Sequence, residues 1–458
     1  MTQRYEDTNV ALVEDQPRVA EAAVIDQRTP ALRTATRWAT KGGLAILDQA
    51  LISGSNFLVS ICLARWLMPE QYGSYALAFS ISLLLTFLYQ SLLLEPMAVF
   101  SGGAFRKSLR GYLGALLWIH VWLTGFGLVV LGLATVVAFK RGGTSGLPGS
   151  LLGVTLASPC ILLFALARRA YYMKLAPARA AVGALIYCIL VTGGLFVVNS
   201  RGRLTPFTAF ALMAFGALVT SAYLLFHVRT TLVDEVPGPH LRQTWSRHWN
   251  YGRWALATSA ATWIPYYMYY PLLSAFKDLT QAGQLRALMN LALPLEQSFT
   301  ALACLFLPYA ARLHGEEGAK GARVLTRNIT FLYVGGAILY WLAVIPLKGP
   351  VFHLLYRGKY LEVSYLLPYV AVETVLWSAA FGPTIVLRGM ESPDSVFYAR
   401  CAASVLSLAL GVPLTMIYGL WGCVLGIMLS QAAALLFAVF LLRRKIGSGS
   451  KTLAAEAS

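Results

Sequence analysis

The sequence predicts an all-α integral membrane protein of about 12 transmembrane helices, arranged as two six-helix lobes related by a pseudo-two-fold axis along the membrane normal. Three observations lead there. Of the 458 residues 57% are hydrophobic and only 12% charged, with a mean hydropathy of +0.63, whereas soluble domains carry about a quarter charged residues. Apolar segments of roughly 20 residues, enough to cross a bilayer, recur about a dozen times. The longest polar interruption falls near the middle, so each half holds an even number of spans and the second enters the membrane in the same sense as the first.

Taken in order, residues 1–40 mix Arg4, Glu6, Asp7, Glu14, Asp15 and Arg18 with no apolar core, and are expected to form a disordered cytosolic tail, not a cleavable signal. The N-lobe, 41–228, carries spans at about 43–66, 74–99, 110–139, 149–169, 178–198 and 205–228. A linker at 229–251 contains Asp234, Glu235, Pro237 and Pro239. The C-lobe, 252–443, carries spans at about 252–276, 285–311, 326–347, 361–387, 396–418 and 420–442, before a polar tail at 444–458. Pro265 and Pro271 interrupt the seventh span, and the eleventh and twelfth are nearly fused. The turn Trp66–Gly73 makes the first two spans antiparallel.

An echo supports duplication. Gln71-Tyr72-Gly73 after span 1 matches Gln281-Ala282-Gly283 after span 7, an offset of 210, and Pro96 in span 2 matches Pro308 in span 8, an offset of 212.

The net charge of +17 follows from 37 Lys and Arg against 20 Asp and Glu. With a cytosolic N-terminus, 27 of those 37 cations fall on the cytosolic side, so both ends are expected in the cytosol. No basic run interleaves with aromatics outside the spans, which argues against nucleic acid. The six cysteines are scattered singly through apolar segments and read as small buried hydrophobes; no metal or cofactor site is expected.

Ionisable groups inside a bilayer cost about 2.5–3.5 kcal/mol even on the lenient scale, so those retained mark candidate sites. Glu296 and Glu373 lie deepest and suit a polar cavity; Asp48 and Glu95 lie nearer the cytosolic end. These four are candidates for ion coupling or inter-lobe contacts. Gln49, Ser53, Asn56 and Ser60 share one face of span 1, which must look into protein or water. His120 reads as packing, and Trp263, Tyr266, Tyr267, Tyr269 and Tyr270 read as an aromatic belt, with a sugar-stacking wall as the alternative. Arg65, Arg253 and Arg286, the last one turn before Asn290, are the cations available near a cavity, and a guanidinium fork suits a diphosphate. There is no Walker loop, no GxGxxG with an acidic partner, no HExxH and no large loop, so an enzyme is not expected.

The stretch Lys41–Phe100, with GGL, DQ, SGSNF, ARWL, PE, YG, YALA and LEPM in order, resembles the Wzx-like polysaccharide or oligosaccharide flippases of the multidrug/oligosaccharidyl-lipid/polysaccharide (MOP) exporter superfamily. AGQLRALMNLALPLEQ from Ala282 to Gln297, AARLHGEEG after span 8 and YRGKY after span 9 extend the resemblance over about 41–443. The resemblance implies an alternating-access transporter of the bacterial inner membrane that flips a polyprenyl-diphosphate-linked oligosaccharide for polysaccharide export, with other polysaccharide-assembly proteins as candidate partners. It implies that Arg65, Arg286 and Asn290 contact diphosphate or sugar, with Arg253 and Asn56 as further cavity candidates. A cation-coupled multidrug antiporter of the same architecture is the first alternative, and a membrane-embedded polymerase, ligase or lipid-sugar transferase the second. The charge asymmetry predicts that a fluorescent protein fused after Ser458 glows while alkaline phosphatase at the same point is silent; the reverse pattern would overturn the orientation.

Overall fold

The computed structural model describes residues 30–140, 146–174, 176–232, 234–390 and 392–456. Residues 1–29, most of the expected N-terminal tail, lie outside them. The first helix, α1, runs Pro30–Trp66 and leads through a two-residue turn into α2, Pro69–Tyr89. Pro69 suits a first helical turn because its missing N–H would have no partner there. The Gln71 side chain accepts the Met68 N–H at 3.4 Å and completes the start.

A π-helical segment, Gln90–Leu94, then α3, Glu95–Gly102, finish the second span. Pro96 lacks the N–H that an α-helix would give to the Leu92 carbonyl. That carbonyl instead accepts Nδ1–H of His248 at 3.0 Å, while the Tyr112 hydroxyl donates to the other ring nitrogen at 2.8 Å. The same device recurs in the C-lobe. Pro265 frees the Ala261 carbonyl, which accepts the Ser404 hydroxyl at 2.7 Å. In hydrocarbon, where no water can satisfy a freed carbonyl, such partners are what make an interior proline tolerable.

The N-lobe continues with α4 (Leu109–Lys140), α5 (Leu147–Met173), α6 (Pro177–Ser200) and α7 (Pro206–Thr231). Its tightest packing sets α5 on α7 and α1 on α6. The Asp234 carboxylate receives the backbone N–H groups of Arg110 and Gly111 at 2.7 and 2.8 Å, fastening the connection to the α4 N-terminus. The C-lobe comprises α8 (Leu241–Tyr267), α9 (Tyr269–Phe276), α10 (Leu279–Asn290), α11 (Leu293–Val344), α12 (Lys348–Tyr356), a 3₁₀ turn (Leu361–Leu366), α13 (Leu367–Ala379), α14 (Phe381–Gly389), α15 (Pro393–Leu406), a second π segment (Ser407–Gly411), α16 (Val412–Tyr418) and α17 (Leu420–Glu456). Helix α8 therefore begins inside the expected linker, and α17 continues helical through most of the expected tail.

Helix α11 is helical throughout its 52 residues, yet its two ends pack side by side. The Tyr340 hydroxyl donates to the Leu291 carbonyl at 2.5 Å and that of Tyr333 to Phe299 at 3.1 Å. The chain must reverse between these contacts, so the eighth and ninth spans remain an antiparallel pair. Ten stretches among the described residues are long and apolar enough to cross a membrane. The other two expected crossings are present as broken, more polar helices: α8–α9, and α10 followed by the first part of α11.

With an even number of crossings, the start of α1 and the end of α17 fall on one face, hereafter the terminal face; the Trp66–Pro69 turn lies on the other, the turn face. At the turn face the lobes meet where α10 crosses α2. A Cβ built on Gly73 would lie 1.6 Å from the Leu279 carbonyl oxygen, and one on Gly283 2.7 Å from that of Pro69. The two glycines of the sequence repeat thus face each other across the lobe boundary. One hydrophobic core runs through both lobes here, from Val59 and Tyr72 to Tyr269 and Leu288. A second core, including Leu295, Phe299, Tyr333 and Leu442, belongs to the terminal half of the C-lobe alone. Gly73→Ala is expected to pry the turn face open. Spin labels at exposed Met68 and Leu354, in a background without native cysteines, should report one short distance in the parent and a longer, broader one in the variant.

Candidate functional site

The polar stripe of α1 faces the C-lobe. Ser53 Oγ donates to Gln297 Oε1 at 2.9 Å, and Gln49 Nε2 reaches Ser53 at 3.4 Å. Deeper toward the turn face, Ser60 Oγ donates to Asn290 Oδ1 at 3.0 Å, Asn290 Nδ2 donates to Tyr72 Oη at 2.8 Å, and Ser60 and Tyr72 lie 2.8 Å apart. With Ser60 committed to Asn290, the Tyr72 hydroxyl donates back to Ser60 and closes a three-membered ring. Such a ring polarises each member and is costly to break one bond at a time. Asn56 lies half-buried on the same stripe.

Arg286 adjoins this ring. Its Nε approaches Ser60 Oγ at 3.4 Å and its guanidinium lies 4.8 Å from the Phe79 ring centroid. It is only 7% exposed, and it forms no ion pair among the described residues. The phenols of Tyr72, Tyr75, Tyr267 and Tyr270 surround it electrostatically. The Tyr75 hydroxyl is buried without a hydrogen-bond partner. Arg286 and Asn290, expected as cavity residues, are therefore brought together, but beneath the closed turn face.

Arg65 reaches across to the C-lobe, its guanidinium donating to the Leu354 carbonyl. Lys359 answers from the other side: its ammonium donates to the carbonyls of Arg65 and Leu67 at 3.0 and 2.7 Å, capping the negative end of α1. The loop that presents it is strained, with Arg357 and Tyr360 at φ 57° and 63°. Burial, and then repulsion from Arg357, lowers the Lys359 ammonium below its ordinary value. Nothing local in the YRGKY stretch marks Lys359 as the partner of a helix end 292 residues earlier.

Asp48 contacts only its own lobe. Both carboxylate oxygens take a fork from Arg168 of α5, at 3.0 and 2.6 Å, and Tyr172 donates to Oδ2 at 2.8 Å. Asp48, a candidate for ion coupling or inter-lobe contact, thus forms a buried bidentate pair within the N-lobe. Seventeen residues separate Asp48 from Arg65, which at 3.6 residues per turn sets them about 100° apart around α1, so they do not share one cavity-facing stripe. Glu95 likewise turns within its lobe, where Arg169 is its cationic neighbour. Arg253 lies exposed beside Trp254 and does not join Arg286.

In the C-lobe, Glu373 of α13 is 2% exposed and takes the Thr374 hydroxyl at 3.3 Å. Glu296 of α11 is within electrostatic reach of both Glu373 and Arg286. Arg400 donates to Tyr266 Oη at 3.4 Å, and Glu373 and Glu296 act on the same phenol. The aromatics of the seventh span are not a lipid belt: Tyr269 and Tyr270 are buried, Tyr269 is bonded to Ser407 at 2.8 Å, and Trp263 donates to the Ser80 carbonyl at 3.1 Å. His120 packs as expected, with the Tyr89 hydroxyl at 3.0 Å from Nδ1. Asp48→Asn should destabilise the N-lobe by about 3–5 kcal/mol, because it strands Arg168. Thermal unfolding in detergent should show that loss largely recovered in Asp48→Leu/Arg168→Leu.

No family model and no curated protein matches the sequence. Solved structures do. The chain is similar to an inward-facing conformation of a multidrug resistance MATE family transporter of the MOP superfamily, with a TM-score of 0.75 at 12% identity, over 89% of this chain and 99% of that one. It is similar to the lipid II flippase MurJ in an inward closed conformation, with a TM-score of 0.68 at 12% identity, over 87% of each chain. An outward-facing MATE family transporter gives 0.62 at 13% identity, over 90% of this chain and 95% of that one. This multi-pass membrane protein therefore has the fold of the MOP-superfamily transporters.

Proposed function

We propose that the protein is an alternating-access transporter that flips a polyprenyl-diphosphate-linked oligosaccharide across the bacterial inner membrane, with both termini cytosolic. The observation that carries this reading is Arg286. A guanidinium held at the lobe boundary, ringed by phenols and without an ion-pair partner among the described residues, is suited to an anionic group brought by the substrate. A diphosphate offers paired oxygens to that fork. Asn290, Ser60 and Tyr72 supply hydroxyl and amide groups beside it, and Asn56 continues the polar path along α1.

On this reading the described conformation is open toward the cytosol. The Ser60–Asn290–Tyr72 ring and the Arg65–Leu354 and Lys359–α1 contacts hold the outer face shut. A diphosphate arriving at Arg286 competes for Ser60 and loosens the ring, and outward opening then requires α10 to part from α2. Glu296 and Glu373 form the candidate coupling pair, since adjacent carboxylates in a dry lobe exchange a cation or proton more readily than an isolated one. Asp48, locked to Arg168, serves to keep α1 with its lobe.

The acidic pair also favours a second reading, a cation-coupled multidrug antiporter, whose substrate would be cationic. The two differ at Arg286. In proteoliposomes carrying a fluorescent polyprenyl-diphosphate oligosaccharide, Arg286→Ala should slow flipping by 10-fold or more, and Arg286→Lys should retain part of the rate. A charge-assisted hydrogen bond is worth about 1.5–3 kcal/mol, consistent with that loss. Unimpaired flipping by Arg286→Ala would remove the diphosphate role. Drug resistance that depends on Glu296 and not on Arg286 would establish the antiporter instead.

A further inference from the structure

We infer that the C-lobe carries a second saccharide-binding site, a pocket on the turn face separate from the lobe boundary. A cavity of about 490 Å³ opens there between the start of α10, the 3₁₀ turn and the α16–α17 corner. Its lining includes Asp278, Thr280, Gln284, Tyr365, Tyr418 and Trp421. That volume accommodates one or two sugar rings.

The frame is fixed by hydrogen bonds that leave the lining groups free toward the cavity. Asp278 caps α10, accepting the Gln281 backbone N–H at 2.8 Å and its side-chain amide at 3.2 Å. The Gln281 side-chain Oε1 then accepts the Leu420 N–H at 2.9 Å and ties α10 to α17. The corner between α16 and α17 is Gly419, at φ 60°, where a Cβ would fall 2.5 Å from that same oxygen. Gln284 donates to Glu362 at 2.8 Å, so its carbonyl oxygen remains an acceptor.

The chemistry of the wall selects the ligand. Tyr365 and Tyr418 are 56% and 60% exposed, and Trp421 meets Tyr418 and Tyr369 edge to face at 6.3 and 5.8 Å. The negative faces of such rings attract the positive C–H face of a pyranose. Asp278, Gln284 and Thr280 offer acceptors for hydroxyl donors. Among the described residues no cation lines the pocket: the nearby Lys277 ammonium is turned to the Ile417 carbonyl at 3.3 Å. A phosphate therefore has no partner here, and a neutral saccharide has several. The inference rests on the proposed function only for the expectation that a saccharide reaches this face.

The test uses the full-length protein in nanodiscs with maltotetraose, cellotetraose and chitotetraose as probes, read by saturation-transfer NMR and by calorimetry. At least one should bind, and Tyr365→Ala/Tyr418→Ala should bind it 10-fold or more weakly with an unchanged unfolding temperature, both side chains being exposed. Thr280→Val should weaken it less. The inference is overturned if none of the three binds, if the double variant binds undiminished, or if glycerol phosphate displaces the glycan. Flipping of the diphosphate-linked substrate is measured on the same samples. Failure to bind glycan with flipping intact removes this site alone, and failure to flip with glycan binding intact removes the cavity reading alone.

Discussion

The crossing of α2 and α10 at Gly73 and Gly283 is the contact on which the arrangement of the two lobes depends. Each glycine lies against the backbone of the other helix, so the axes approach as closely as a missing side chain allows. In lipid there is little hydrophobic drive between helices, and close packing of small residues is a principal source of association. The approach in turn brings Ser60 and Tyr72 to Asn290 and sets Arg286 over Phe79. The latches at Arg65 and Lys359 lie around it on the same face. A methyl group on either glycine would run into the facing backbone, within 1.6 Å at Gly73 and 2.7 Å at Gly283.

A second constraint shapes the individual spans. Prolines at 96 and 265 break the helical hydrogen-bond ladder where water is absent, and in both cases a neighbour supplies the missing donor, His248 to Leu92 and Ser404 to Ala261. These partners also link elements: His248 joins α8 to the N-lobe, and Ser404 joins α15 to α8. Local breaks become tertiary connections. Helix α8 is thereby held by both lobes, a place suited to an element about which one lobe can rock against the other.

The polar groups divide by role. Asp48 with Arg168 fastens α1 within its lobe; the Ser60–Asn290–Tyr72 ring fastens lobe to lobe; Glu296, Glu373, Tyr266 and Arg400 cluster inside the C-lobe. Only the second set must part for the turn face to open. It is built from neutral hydrogen bonds, with cations donating to carbonyls at its rim, and holds no ion pair among the described residues. Such bonds are each worth about 1 kcal/mol net, which makes the closed face reversible, while the buried ion pair within the N-lobe is far more costly to separate.

The all-helical membrane fold, the spans, the two lobes and even the turn glycines were legible in the sequence, because bilayer thickness and the absence of water impose strong, local rules on apolar length, charge and repetition. The face of α1 that looks to the C-lobe was legible too, since Gln49, Ser53 and Ser60 share it by helical spacing. Partner choice was not. Asp48 and Arg65 lie on one helix, yet the first turns inward to Arg168 and the second crosses to Leu354: spacing gives their rotation, but only the packing of α5 and α12 against α1 decides which partner each meets. The tyrosines of the seventh span looked like an interfacial belt, because composition gives depth but not direction around the axis. Lys359 and the end of α1 are nearly 300 residues apart, and no local signal links them. Sequence determined the all-helical membrane fold and which apolar stretch carries each charge; tertiary structure decided what each charge faces, because that depends on neighbouring helices whose positions are set by contacts far away in the chain.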